Sequence, residues 1–243
     1  MNKYTVVVAK NESELATKFC DYFSEIVGSV IKRIGFATVA LSGGKTPDII
    51  FTKLAEDYPN RIDWAKVIIF WTDERCVPPG DPQSNYGRAY ELLIEKIGIP
   101  SENIFRVRGE DDPETESERY AQLLETNARL KRDVPCFDFI MLGIGEDGHT
   151  ASIFPGQENL FTTDKLTAVT VNPSNLQTRI TLSGSLINNA SNVAVVASGI
   201  NKLKIVSEVI DETDTYPISF VNPIHGKLTW FLTLDATPES LRK

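Results

Sequence analysis

Short runs of β-branched and aliphatic residues alternate along this chain with longer stretches whose apolar positions recur every three or four residues. The first run is Thr5–Ala9. Asn11, with Glu14 three residues on, reads as a helix start of the capping-box kind, Asn standing in for the usual Ser or Thr. Leu15, Phe19, Phe23, Ile26, Val30 and Ile34 follow at helical spacing. The same reading predicts strands over 36–41, 66–71, 137–142, 169–171, 179–182, 193–197 and 228–234. It predicts helices after Pro47 and over 84–97, 113–130 and 199–210, with Ser84 or Asn85 capping the helix at 84. The acidic stretch 110–114 suits a solvated helix N-terminus, and 157–165 reads as a mobile loop.

Strand and helix in alternation predict a doubly wound, Rossmann-like α/β fold: a largely parallel sheet with helices on both faces. With no internal repeat and no dividing linker, residues 1–243 read as a single domain. In such sheets ligands bind beyond the C-terminal strand ends, so the loops after the strands should carry the chemistry.

The length of 243 residues and the 42% hydrophobic content suffice for a sizeable core and exclude collagen-like, disordered and disulfide-scaffold classes. A net charge of −8 argues against nucleic acid and anionic membrane surfaces as partners, and leaves room for a small anion in a pocket that gathers a few cations. Cys20, Cys76 and Cys136 are odd in number and widely spaced, as expected in a reducing compartment. The N-terminal apolar run is too short for a signal peptide, and the longest apolar runs are strand-sized. The expectation is a cytoplasmic protein, monomer or dimer being left open.

Three loops attract attention. Ser42-Gly43-Gly44-Lys45-Thr46-Pro47 follows a strand and opens a helix, where free N–H groups and the helix dipole favour an anion and Lys45 adds a charge. A P-loop is excluded, because GxxxxGK[ST] needs glycine where Val39 stands. Thr72-Asp73-Glu74-Arg75 joins two carboxylates to a guanidinium that can grip phosphate; taken alone it reads more simply as a surface ion-pair cluster. Cys76 beside it has no adjacent histidine and reads as structural. The third loop, 143–150, matches GxGxxG, but Pro155-Gly156 stops any helix within two turns, so a dinucleotide site fails on context. Its glycines instead present Asp147 and His149, and a histidine titrates near neutrality and can serve as general base. The other histidine, His225, falls in a turn. With neither HxH nor HExxH in the chain, no metal site is expected, and no cofactor. Lys202 falls in the first turn of the helix at 199–210, where a cation opposes the helix dipole at a cost of ~0.3–1 kcal/mol, which a bound anion would offset. Arg179 faces either solvent or the site.

LSGGKTP at 41–47, TDERCVP at 72–78, SNY at 84–86, LGIGEDGHTASIFPG at 142–156, NPSNLQTRITL at 172–182, SGINK at 198–202 and HGKLTWFLTLDA at 225–236 together resemble the 6-phosphogluconolactonases. The likeness runs in order over most of the chain. It implies hydrolysis of a sugar-phosphate lactone in the oxidative pentose phosphate pathway, without metal or cofactor. It implies a phosphate end near Ser42, Gly43, Gly44 and Lys45, and cations from Arg75, Arg179 and Lys202 whose phosphate and carboxylate duties stay unapportioned. It also implies His149 as the base that activates water, with Asp73 or Asp147 orienting a site group. Lys45 stands where the family often has arginine. The related glucosamine-6-phosphate deaminases continue the histidine motif with an FNEP-like sequence whose glutamate supports ring opening. Here Ile153 and Phe154 follow and carry no carboxylate, which is the lactonase form.

Overall fold

The computed structural model describes residues 4–131, 134–212 and 215–242. In chain order its elements are β1 (Thr5–Ala9), α1 (Glu12–Ile34), β2 (Ala37–Leu41), α2 (Lys45–Asp57), β3 (Val67–Trp71), β4 (Asp73–Arg75), α3 (Asn85–Leu92), α4 (Pro113–Asn127), β5 (Leu130–Lys131), β6 (Val134–Pro135), β7 (Phe139–Gly143), β8 (Thr167–Val171), β9 (Thr178–Leu182), α5 (Gly184–Asn188), β10 (Asn192–Ala197), α6 (Leu203–Ile210) and β11 (Lys227–Thr233). Six strands form one sheet in the order β1-β11-β10-β7-β2-β3, every neighbouring pair parallel.

Both faces of this sheet are covered, which is why its strands read as unbroken apolar runs. Alternate residues of β7 serve opposite faces. Phe139 and Met141 pack with α1 and α2, where Phe19 and Phe23 meet the Phe139 ring edge-on at 5.7 and 5.0 Å. Ile140 and Leu142 pack on the other side with Tyr120 and Leu124 of α4, Ile187 of α5 and Val206 of α6. The Asn11 side chain caps α1 by accepting the Glu14 N–H at 2.9 Å, and Asp112 caps α4 in the same way through Thr115.

A second, three-stranded sheet in the order β4-β9-β8 is antiparallel throughout. The chain passes into it at Thr72, whose N–H donates to Leu41 at 2.9 Å while its carbonyl accepts from Leu182 at 2.7 Å. The predicted strands 169–171 and 179–182 therefore leave the parallel sheet. The loop between β8 and β9 is too short for a crossover, and only an antiparallel hairpin can close over it.

Three predicted helices are shorter than the pattern suggests. The helix at 84 ends at Leu92 and tightens into a 3₁₀ turn over Ile94–Lys96. The one at 113 ends at Asn127, whose side-chain amide donates to the Leu123 carbonyl at 3.0 Å, competing with the backbone ladder. The last opens as a 3₁₀ turn, Ile200–Lys202, behind Gly199 at φ +92°, so Lys202 lies just ahead of α6 rather than in its first turn. Residues 157–165 include a 3₁₀ turn, Glu158–Phe161, whose Phe161 is buried and stacked on Phe220 at 5.5 Å. No helix among the described residues is long and apolar enough to cross a membrane.

Candidate active site

Loops following β2, β7 and β10 meet the second sheet around a cleft of about 270 Å³ at the C-terminal ends of the parallel strands. Ser42, Gly43, Asp73, Arg75, His149, Arg179 and Lys202, drawn from five separate segments, all line it. Asp147 sits behind His149. Gly44 and Lys45 are exposed and do not line the cleft.

The Ser42 hydroxyl is occupied within the protein: it donates to the Met141 carbonyl at 2.7 Å and lies 2.6 Å from the Thr72 hydroxyl. It thereby pins the ends of β2, β3 and β7 together. Gly43 is required by proximity, since a Cβ there would overlap the Asn85 amide. Gly44, at φ +122°, precedes α2 without a side-chain cap, leaving the first N–H groups of that helix open. Thr46 and Ser198 hydroxyls, 2.8 Å apart, bring the segment carrying Lys202 alongside this helix start.

His149 projects from a tight loop in which the Gly145 N–H donates to the His149 carbonyl at 2.8 Å. Its ring Nδ1 is 2.5 Å from Asp147 Oδ1, and the same oxygen accepts the His149 backbone N–H at 3.2 Å. Among the described residues no hydrogen bond reaches ring Nε2, and Phe154 packs against the imidazole at 4.9 Å. Burial works to raise the Asp147 carboxyl, but the hydrogen bonds and charge of His149 together outweigh it and hold the group below its ordinary range. Beyond the histidine, Ala151 takes φ +47°, a left-handed conformation unfavourable for alanine. It is maintained because Thr150 Oγ1 donates to Gly143 at 2.9 Å and Ser152 is bonded on three sides, to Thr181, Thr170 and Asp73.

The 73–75 segment is no surface ion-pair cluster. Asp73 and Glu74 are buried, and neither is salt-bridged to Arg75. Asp73 Oδ2 accepts from Ser152 Oγ at 2.7 Å, so this aspartate braces the second sheet while Asp147 serves the histidine. Arg75 and Arg179 are direct cross-strand partners in β4 and β9. Arg75 and Arg179 each bury an unmatched Nε; Arg75 also donates to the Gln83 carbonyl at 2.6 Å, whereas among the described residues the side chain of Arg179, a residue 7% exposed, has no hydrogen-bond partner. Burial, and then the neighbouring Arg75, push the Arg179 guanidinium below its ordinary value against the pull of Asp73 and Glu74. Two adjacent cations, one without a partner, make a strong anion-seeking feature. Burial likewise lowers the Lys202 ammonium, opposed by Glu146 and Asp147. Cys76 is pushed up to about 11, first by burial and then by Glu74, which keeps it a thiol at neutral pH.

Sequence reasoning missed Asn85, Ser152, Phe154 and Asn172 as cleft residues. Asn85 and Asn172 had a signal, as polar residues at helix and strand ends, but each also fits an ordinary cap or turn. Among the described residues no cluster of three or more His, Cys, Asp or Glu is arranged to hold a metal ion.

Fold and cleft have the form of an α/β enzyme with a strand-end site for a small anionic ligand. The model of the glucosamine-6-phosphate isomerase/6-phosphogluconolactonase family matches residues 10–230. The chain is 39% identical over 203 residues to a 6-phosphogluconolactonase of Treponema pallidum, with 84% of each chain covered. To a 6-phosphogluconolactonase of a Nostoc species it is 35% identical over 242 residues, with 98% of each covered. The solved 6-phosphogluconolactonase of Trypanosoma brucei superposes at a TM-score of 0.88 and 28% identity, again over 98% of each chain. The protein belongs to the glucosamine-6-phosphate isomerase/6-phosphogluconolactonase family.

Proposed function

We propose that this protein hydrolyses 6-phosphoglucono-δ-lactone to 6-phosphogluconate, with His149 as general base. The observation that carries this reading is the dyad: Asp147 Oδ1 lies against Nδ1 of a histidine that lines a cleft rich in cations, a pairing that favours the tautomer with its proton on Nδ1 and the lone pair on Nε2. Nε2 takes a proton from water as the oxygen attacks the lactone carbonyl. The tetrahedral oxyanion then collapses, the ring C–O bond breaks, and the leaving oxygen takes the proton back from the imidazolium. The acid released ionises to a carboxylate.

The substrate phosphate carries its charge throughout, whereas the carbonyl end gains one negative charge. Open N–H groups at the start of α2, with Lys202 brought alongside by the Thr46–Ser198 contact, suit the phosphate. The Arg75–Arg179 pair suits the charge that develops at the carbonyl and persists in the product. Lys45, exposed, adds long-range attraction. The step uses no metal ion, and hydrolysis is expected to survive exhaustive chelation.

The deaminase reading is weakened by Ile153 and Phe154. Both are buried, and Phe154 occupies the flank of His149 with a phenyl ring. Freshly generated lactone should disappear well above its spontaneous rate, with no ammonia released from glucosamine 6-phosphate. Ammonia without lactone loss would make the protein a deaminase; sugar-phosphate binding with neither activity would make it a sensor.

Gly145 offers a further check. A Cβ at this position would overlap both the His149 ring and the Asp147 carboxylate. Gly145→Ala should therefore displace the dyad and lower kcat about 10²-fold, read by steady-state kinetics on the purified variant.

A further inference from the structure

Side chains alternate along β4: Asp73 and Arg75 line the cleft, while Glu74 between them does not. Glu74 is 2% exposed, and the chemistry above makes no use of it. Its carboxylate is nevertheless saturated. Oε1 accepts the backbone N–H groups of Arg75 at 2.7 Å and Asn85 at 2.8 Å; Oε2 accepts the Ser84 hydroxyl at 3.0 Å and the Tyr86 N–H at 2.8 Å.

These four donors come from the strand that presents Arg75 and from the helix start that presents Asn85. Both residues close back on the same region. Arg75 donates to the Gln83 carbonyl at 2.6 Å, and the Asn85 amide donates to the Asp73 carbonyl at 2.9 Å. One buried carboxylate thus fastens two cleft residues from behind. Burial pushes Glu74 above its ordinary range while the three N–H groups pull the other way. An amide could not replace it. Four donors need acceptor capacity on both oxygens, and glutamine would turn an NH₂ toward two of them.

We infer that Glu74 is a positioning residue that sets Arg75 and Asn85 for catalysis, an assignment that rests on the lactonase reading above. Arg75 is placed at the carbonyl end, so loss of Glu74 should act on kcat more than on KM.

The test is a mutant cycle between Glu74→Gln and the Arg75→Ala/Asn85→Ala pair. In the otherwise unsubstituted protein, E74Q should lower kcat roughly 10- to 100-fold with KM changed by less than about threefold. In the Arg75→Ala/Asn85→Ala background, the same substitution should cost less than about threefold. Equal losses in both backgrounds, or no loss in the first, would overturn the inference. If E74Q fails to fold, Glu74→Asp keeps the charge but withdraws the oxygens, and it should show the same non-additivity. Amide hydrogen exchange at Arg75, Asn85 and Tyr86 supplies a readout that needs no substrate. Exchange should quicken in E74Q or E74D, and unchanged rates would overturn the assignment. Failure of the unsubstituted protein to hydrolyse lactone would strike the lactonase reading, with the exchange result still deciding whether Glu74 holds these residues.

Discussion

Replacing His149 with alanine is expected to lower kcat about 10²–10⁴-fold while leaving KM for the lactone nearly unchanged. The split follows from geometry. In the proposed mechanism the imidazole meets water and the reacting carbon, whereas the substrate's fixed charge is assigned to the α2 start and Lys202. Asp147→Asn should reproduce much of the loss without removing the base, because an amide opposite Nδ1 no longer enforces the tautomer that leaves Nε2 free. The measurement is initial-rate hydrolysis of fresh lactone with the spontaneous rate subtracted. An undiminished kcat in His149→Ala would end the general-base assignment. Asp147 is held below the ordinary carboxyl range, so it stays ionised across the interval in which imidazoles titrate. Neutralisation of Asp147 should therefore not limit kcat on mild acidification, as a pH profile of the hydrolysis would read.

The second large effect has two signs. Arg179→Met should lower kcat about 10²–10³-fold, the range seen when a donor to a developing oxyanion is removed. The same substitution should raise the thermal midpoint of the ligand-free protein. Arg179 is buried beside Arg75 without a hydrogen-bond partner among the described residues, and its surroundings disfavour its charge. Relief of about 1 kcal/mol would lift the midpoint by about 2–4 °C in a chain of this size. Differential scanning calorimetry and kinetics on one preparation test both halves. A variant that loses activity and stability together would mean that Arg179 supports the fold rather than stabilising charge in the reaction.

Much of this architecture was legible because helices and parallel strands announce themselves by period. The apolar run at 137–142 marked a buried strand, although the partition of Phe139 and Met141 to one face and Ile140 and Leu142 to the other leaves no trace where both faces are apolar. β4 was invisible for the opposite reason. Asp73, Glu74 and Arg75 have no apolar member, and their strand exists because β9 offers a free edge beside them. The Asp147–His149 pair could be read from spacing in a glycine-rich loop. The role of Asp73 could not, because Ser152 reaches it across 79 residues of sequence. Lys45 stands beside two glycines at the start of α2, and its exposure is set by the helix geometry, which the motif alone does not report.

The bonds that tie Thr150 and Ser152 to β7 and the second sheet have a thermodynamic consequence. The segment that presents the histidine is ordered when the chain folds, through contacts that need no ligand. Its loss of conformational entropy therefore belongs to the folding equilibrium and not to substrate association. If the ligand is the proposed sugar-phosphate lactone, binding can then be weak for its neutral ring and still productive, because little of the phosphate's attraction is consumed in assembling the histidine loop.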